Sequence, residues 1–167
     1  MSLTTDLLVR LLATEERAFD LVTPQAPLSF SERIRLATGT GANQADLIFT
    51  DTRTLTASAT EDLDVAGSLT TPLATAFTPA RIKALLVAAA SGNTNNVNLT
   101  RPASNGVPLF LAAGDGIPVR PGGVFVWVAP DATGVAVTAS TGDLITFTNS
   151  AGSTSVTYDV VIIGASA

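Results

Sequence analysis

Turn-forming residues punctuate this chain from residue 24 almost to its end. They cluster at Pro24–Pro27, Gly39–Asn43, Gly67, Gly92–Asn96, Pro102–Gly106, Gly114–Gly116, Pro121–Gly123, Pro130–Gly134, Thr141–Asp143 and Asn149–Ser153. The stretches between them are mostly about five to ten residues long and rich in Thr and Val, the spacing of short strands rather than helices. Such punctuation predicts an all-β fold, an antiparallel β-sandwich of jelly-roll type. The sandwich is assigned to residues 28–167, preceded by an N-terminal arm over residues 1–27. At 167 residues and 17.0 kDa the chain is one domain's worth.

Several segments alternate as strands do. Phe30, Ile34 and Leu36 share one face and Ser31, Arg33 and Arg35 the other, with Glu32 the exception on the apolar side. Val156, Tyr158, Val160 and Ile162 oppose Thr157, Asp159, Val161 and Ile163, so that strand starts half exposed and ends covered. The unbroken apolar run Val124–Val128 reads as a central strand. Leu144–Thr148 and Val156–Ile163, joined through Asn149–Thr154, read as a hairpin with a loose loop. Arg120-Pro121-Gly122-Gly123 suits a tight turn with positive φ at the third position, and Asp131 suits an Asx turn. Thr78–Arg81 fits one helical turn with Pro79 at its first position. Ile82–Ala90 could continue that helix or run as a strand, and its Ala and Leu content favours helix. The segment Met1–Gln25 fits either a helix, through Leu8, Leu12, Glu15 and Phe19, or an extended arm, through Leu7, Val9, Leu11 and Ala13. Pro24 and Pro27 end either one.

The residues also limit the chemistry. The chain has no Cys and no His, which removes disulfides, thiolate metal sites, the usual general base and every triad built on either residue. A Ser–Lys dyad would rest on Lys83, the only lysine, which lies in an apolar stretch without the required pattern. Gly39–Asn43 lacks the Gly-Lys-Ser/Thr ending of a phosphate loop. Glu61, Asp62 and Asp64 form the densest acidic cluster; they could hold a cation or serve as an acid/base pair, but an edge strand guarded by charges explains them more simply. Trp127 and Tyr158 lie inside apolar strands and read as core rather than as a sugar platform. No cofactor, metal or enzymatic activity is expected. A net charge of −5 argues against nucleic-acid partners. The apolar runs Ala84–Ala90 and Val160–Ile163 are too short to span a bilayer, and no targeting segment is expected.

Charged residues make up 14% of the chain, against about 25% in ordinary soluble domains, while 46% is hydrophobic. A surface so poor in charge favours burial against other subunits. The arm supplies the candidate contacts: Leu7, Leu8, Val9, Leu11, Leu12, Phe19 and Leu21. Arg33, Arg35 and Arg53 are candidate partners for acids across a subunit boundary.

The stretches Gly39–Asp46, Asp51–Thr56, Glu61–Gly67, Ala80–Ala84, Ser91–Asn96, Val119–Gly123, Ala129–Gly134, Thr141–Asp143 and Thr154–Gly164 together resemble a family of small virion structural proteins of tailed bacteriophages. The resemblance covers roughly residues 28 to 164 and is carried by turn-and-strand patterns. It implies a virion component made in the host cytoplasm: a head decoration (cement) protein on the capsid exterior, a homotrimer bound to the major capsid protein. The alternatives are a tail or baseplate component, or a carbohydrate- or receptor-binding jelly-roll module.

Overall fold

The alternation in the last strand organises the molecule. In the computed structural model, which describes residues 2–67 and 69–167, β12 (Val156–Ala165) buries Val156, Tyr158, Val160 and Ile162 on one face. It lies between β4 (Leu47–Leu55) and β6 (Arg81–Ala89), antiparallel to both. β6 also pairs with β9 (Val124–Val128) and the two-residue β10 (Val135–Ala136), completing a five-stranded sheet. The second sheet has four strands in the order β5 (Thr60–Asp64), β11 (Leu144–Asn149), β7 (Val97–Thr100) and β8 (Gly116–Val119). Both sheets contribute to one core. Phe49, Ile82, Leu85 and Val87 from the first meet Leu63, Leu99, Ile145 and Phe147 from the second, and Phe77 fills the space between, 5.8 Å from the Phe49 ring. The all-β sandwich expected from the turn spacing is present, with no helix among the described residues.

Four local expectations are corrected. Thr78–Arg81 forms no helical turn, and Arg81–Ala89 is a strand. Ala and Leu favour helix in isolation, but this segment pairs on both sides, and burial overrides propensity. Leu144–Thr148 and Val156–Ile163 are not a hairpin: β11 pairs β5 and β7, whereas β12 pairs β4 and β6, so the connection crosses between the sheets. Val124–Val128 is not central but an edge strand, bonded only to β6. The arm does not end at Pro24 and Pro27. β1 (Thr5–Glu16) pairs along its whole length with Gln25–Leu36 of β2 (Gln25–Thr38), so the ribbon runs on past both prolines. The open choice between helix and extended arm resolves to strand. Pro27 is tolerated because a two-stranded ribbon has only edge strands, where a missing N–H need not interrupt a ladder.

The turn chemistry follows the sequence. Gly122 has φ 71° and Gly123 N–H closes on Arg120 O at 2.7 Å. Asp131 Oδ1 accepts from Thr133 N and Gly134 N at 2.7 and 2.9 Å.

Tyr158 stacks on Phe147 at 4.7 Å, and its hydroxyl donates to Glu61 Oε2 at 3.5 Å. Burial pushes the phenol well above its ordinary value of 10.0, outweighing the opposing influence of Arg53. A raised pKa makes the stability contribution complete below pH 10 and lost above it, because the unfolded chain then releases a proton that the folded one keeps. As Tyr158 is the only tyrosine, tyrosinate absorbance is expected to appear only together with loss of the native β circular dichroism. Titration near pH 10 with the fold intact contradicts this assignment.

Candidate assembly surface

β1 and β2 form a hairpin that stands away from the sandwich. From Leu8 to Glu16 every residue of β1 is exposed, and so is β2 from Gln25 to Arg33. Nine residues at about 3.3 Å each make roughly 30 Å of free ribbon. A compact chain of this mass exposes about 7,700 Å², whereas this one exposes 9047 Å². The surplus of about 1,300 Å² is in keeping with a projecting ribbon.

The register sorts the ribbon's faces. Leu7, Val9, Leu11 and Ala13 stand opposite Ile34, Glu32, Phe30 and Leu28, so one face is apolar apart from Glu32. The other holds Asp6, Arg10, Arg33 and Arg35, interrupted by Leu8 and Leu12. At the tip, Phe19 N–H bonds Val22 O at 2.9 Å, and Arg17 lies 5.0 Å from the centroid of the Phe19 ring. Leu21 there is 99% exposed. A bare two-stranded ribbon is marginal in water and holds its shape when one face is covered.

The base of the arm is covered. Leu36 and Ala45 pack with Ile163, flanked by Ile34, Ile48 and Val161, in a small second core on the outer face of the five-stranded sheet. β2 is tied down there by the two-residue β3 (Gln44–Ala45), which runs parallel to it. Beside this core lies an apolar groove of 280 Å³, walled by Leu3, Leu7, Leu86, Val126 and Val128 among others.

The sequence candidates thus separate. Leu7, Leu8, Val9, Leu11 and Leu12 lie along β1, and Phe19 and Leu21 at the tip. Arg33 and Arg35 are engaged within the arm: Arg33 Nε donates to Asp6 Oδ1 at 2.8 Å, and Arg35 Nε lies 3.5 Å from Asp6 Oδ2. The Arg33 hydrogen bond is the main reason the Asp6 carboxyl is held below its ordinary value. Arg53 is far along the chain on β4, paired with Asp51 at 2.5 Å and with Glu61. The acidic cluster is split. Glu61 faces Arg53, Asp62 accepts from Thr146 Oγ1 at 2.5 Å, and Asp64 accepts from Ala66 N at 3.0 Å. No group of three or more His, Cys, Asp or Glu among the described residues is placed to hold a metal ion.

Sequence reasoning misses two polar features. Lys83 is fully buried, and its Nζ donates to Asp131 O and, at 3.5 Å, to Gly41 O. Asn149 is also buried, within a net of bonds that includes Asn95. A lone Lys in an apolar strand and an Asn at a strand end are the available signals. Both features hold loops of the scaffold rather than line the arm. The chain matches no protein-family model, no curated protein and no solved structure.

Proposed function

We propose that this chain is a non-enzymatic structural subunit of a tailed-phage virion, a decoration protein that binds the major capsid protein from outside the head and assembles with its own copies as a trimer. The observation that carries the assembly reading is the arm. About 30 Å of hairpin project an apolar face and an apolar tip from a sandwich already closed without them. Keeping such a surface in water is costly, and burying it against another protein is the usual resolution. The head location and the three-fold state rest on the resemblance of the turn and strand motifs.

The strand orders support the jelly-roll variety of sandwich. β4 pairs with β12, β5 with β11, β6 with β9 and β7 with β8, all antiparallel. That nesting, with sheets ordered β4-β12-β6-β9 and β5-β11-β7-β8, is what one long antiparallel ribbon produces when rolled into two layers.

Trimming the arm tests the reading. Replacing Val9–Glu32 by Asn-Gly closes a short hairpin between Leu8 and Arg33, which already face each other. The trimmed protein is expected to keep the melting temperature of the sandwich within a few degrees and to lose both self-association and coating of undecorated heads. Coating of heads by the trimmed protein at the intact protein's copy number overturns the reading. Hundreds of intact copies per particle fit decoration or a tail tube, which coating of undecorated heads tells apart, whereas a few to a few dozen point to a tail tip or fibre.

A further inference from the structure

We propose that β1 of one copy adds as a strand to the open edge of β9 in a second copy of this chain. The inference rests on the reading that the arm joins copies, and it specifies which edge gives and which receives.

Exposed strand edges invite pairing, and proteins blunt them with charge, proline or short length. Among the described residues the sandwich has five strands with an open edge, and four are blunted. β4 carries Asp51 and Arg53, β5 carries Glu61, Asp62 and Asp64, β8 is four residues long with Pro118 within it, and β10 is only two residues long. β9, Val-Phe-Val-Trp-Val, has neither charge nor proline. Its inner side bonds to β6, and its outer side makes no backbone hydrogen bond among the described residues. Val124 is 61% exposed and Val126 38%.

The arm has the same asymmetry. The β2 side carries Pro27, Glu32, Arg33 and Arg35, and its base is occupied by β3. The β1 side, from Leu7 to Ala13, carries a single charge, Arg10. β1 is also apolar on both faces. Leu8 and Leu12 sit on the otherwise polar face and stay more than half exposed, at 56% and 57%, among the described residues. Addition to β9 accounts for both faces. One row of β1 side chains then continues the outward row Val124 and Val126, and the other continues Phe125 and Trp127. This is strand addition, with backbone bonds supplying affinity and alternate side chains supplying specificity.

The area suffices. A strand flank roughly 30 Å long and about 10 Å deep covers about 300 Å², and the surface beneath it as much. Each junction buries about 600 Å²; with every copy of a closed three-membered ring giving one arm and receiving one, each copy shares in two junctions, about 1,200 Å² in all, so the ring holds where a single junction is weak. The arm outruns the five residues of β9 and lies across the turns at Arg120–Gly123 and Pro130–Gly134.

Two double variants separate giver from receiver. Leu11→Lys/Leu12→Lys disables the arm, and Val124→Lys/Val126→Lys disables the edge. Leu11, Leu12 and Val124 are more than half exposed and Val126 stands at the rim of the apolar groove, 38% exposed, so each lysine can lay its stem on the surface and keep its ammonium in water. By sedimentation at micromolar concentration the intact protein is expected at a multiple of the single-chain mass and each variant at the single-chain mass. A mixture of the two variants at high concentration is expected to form pairs, the intact arm of one on the intact edge of the other, weaker than the intact assembly because one junction alone joins them. Pair formation also shows that both variants are folded. If the edge variant keeps the intact protein's mass while the arm variant dissociates, the arm assembles the protein but β9 is not its seat. If both variants keep it, or the intact protein sediments as a single chain, arm-mediated association fails as well. A mixture that yields no pairs also overturns the proposal. Head coating is measured separately, so a wrong virion assignment leaves these masses unchanged.

Discussion

Asn149→Ala is expected to cost about 3–5 kcal/mol of folding stability, read as a fall in the urea midpoint with little change in slope. The side chain is buried at the end of β11, where the chain leaves one sheet for the other. Its Nδ2 donates to Thr154 O at 2.7 Å, Thr56 O at 3.0 Å and Leu55 O at 3.4 Å. Its Oδ1 accepts from Asn95 Nδ2 at 3.0 Å and Ala151 N at 3.3 Å. Alanine removes all of these at once, and the net is worth several ordinary hydrogen bonds at about 1 kcal/mol each. Asn95 shares the net, donating also to Ala151 O and Thr154 O. The double variant with Asn95→Ala is therefore expected to lose less than the sum of the singles. A loss below about 1 kcal/mol, the worth of one ordinary hydrogen bond, means that water replaces the side chain and that the clamp is not structural.

Lys83→Ala is expected to cost about 3–5 kcal/mol, and Lys83→Met clearly less. Lys83 is the bulged residue of β6, since Ile163 faces Ala84 and Gly164 faces Ile82 with Lys83 unpaired between them. The bulge turns its side chain into the protein, where Nζ joins the loop at Gly41 to the turn at Asp131. Asn43 N–H bonds Pro130 O at 2.6 Å between the same two loops. Each bond from the ammonium is worth about 1.5–3 kcal/mol, and the apolar stem packs as well. Methionine keeps the stem and escapes the cost of burying a charge. Burial lowers the Lys83 pKa below 10.5; the Asp131 charge opposes this and Arg81 reinforces it. A lowered lysine pKa means the unfolded chain binds the proton more tightly, so stability rises with pH across the window below 10.5. That rise is expected in the intact protein and absent in Lys83→Met, as seen in urea midpoints measured across this window. Equal slopes in the two proteins contradict the burial of a charged lysine.

Much of the fold was legible in local residues. The turn clusters announced a β-sandwich because Gly, Pro, Asn and Asp act through their own φ preferences and nearby hydrogen bonds, as Gly122 and Asp131 do. The alternation in β12 and in Phe30–Leu36 named the faces correctly, because a strand's two-residue period is independent of its partners. The arm's apolar residues were also visible as a group. Whether they were helical or extended was not, because Leu8 and Leu12 satisfy a helical period and Leu7, Val9 and Leu11 a strand period within the same twelve residues.

What the tertiary structure alone decided is which strands are neighbours. Val124–Val128 reads as central by composition and stands at an edge, because apolarity reports burial and is silent on whether a neighbour or another copy provides it. Leu144–Asn149 and Val156–Ala165 are adjacent in sequence and lie in opposite sheets, because their link is clamped by Asn149 and Asn95 rather than closed as a turn. Lys83 found its carbonyls in loops distant along the chain, at Gly41 and Asp131. Pairing, crossing and burial of a lone charge depend on contacts distant in sequence, whose energies belong to the assembled sandwich and to no segment of it.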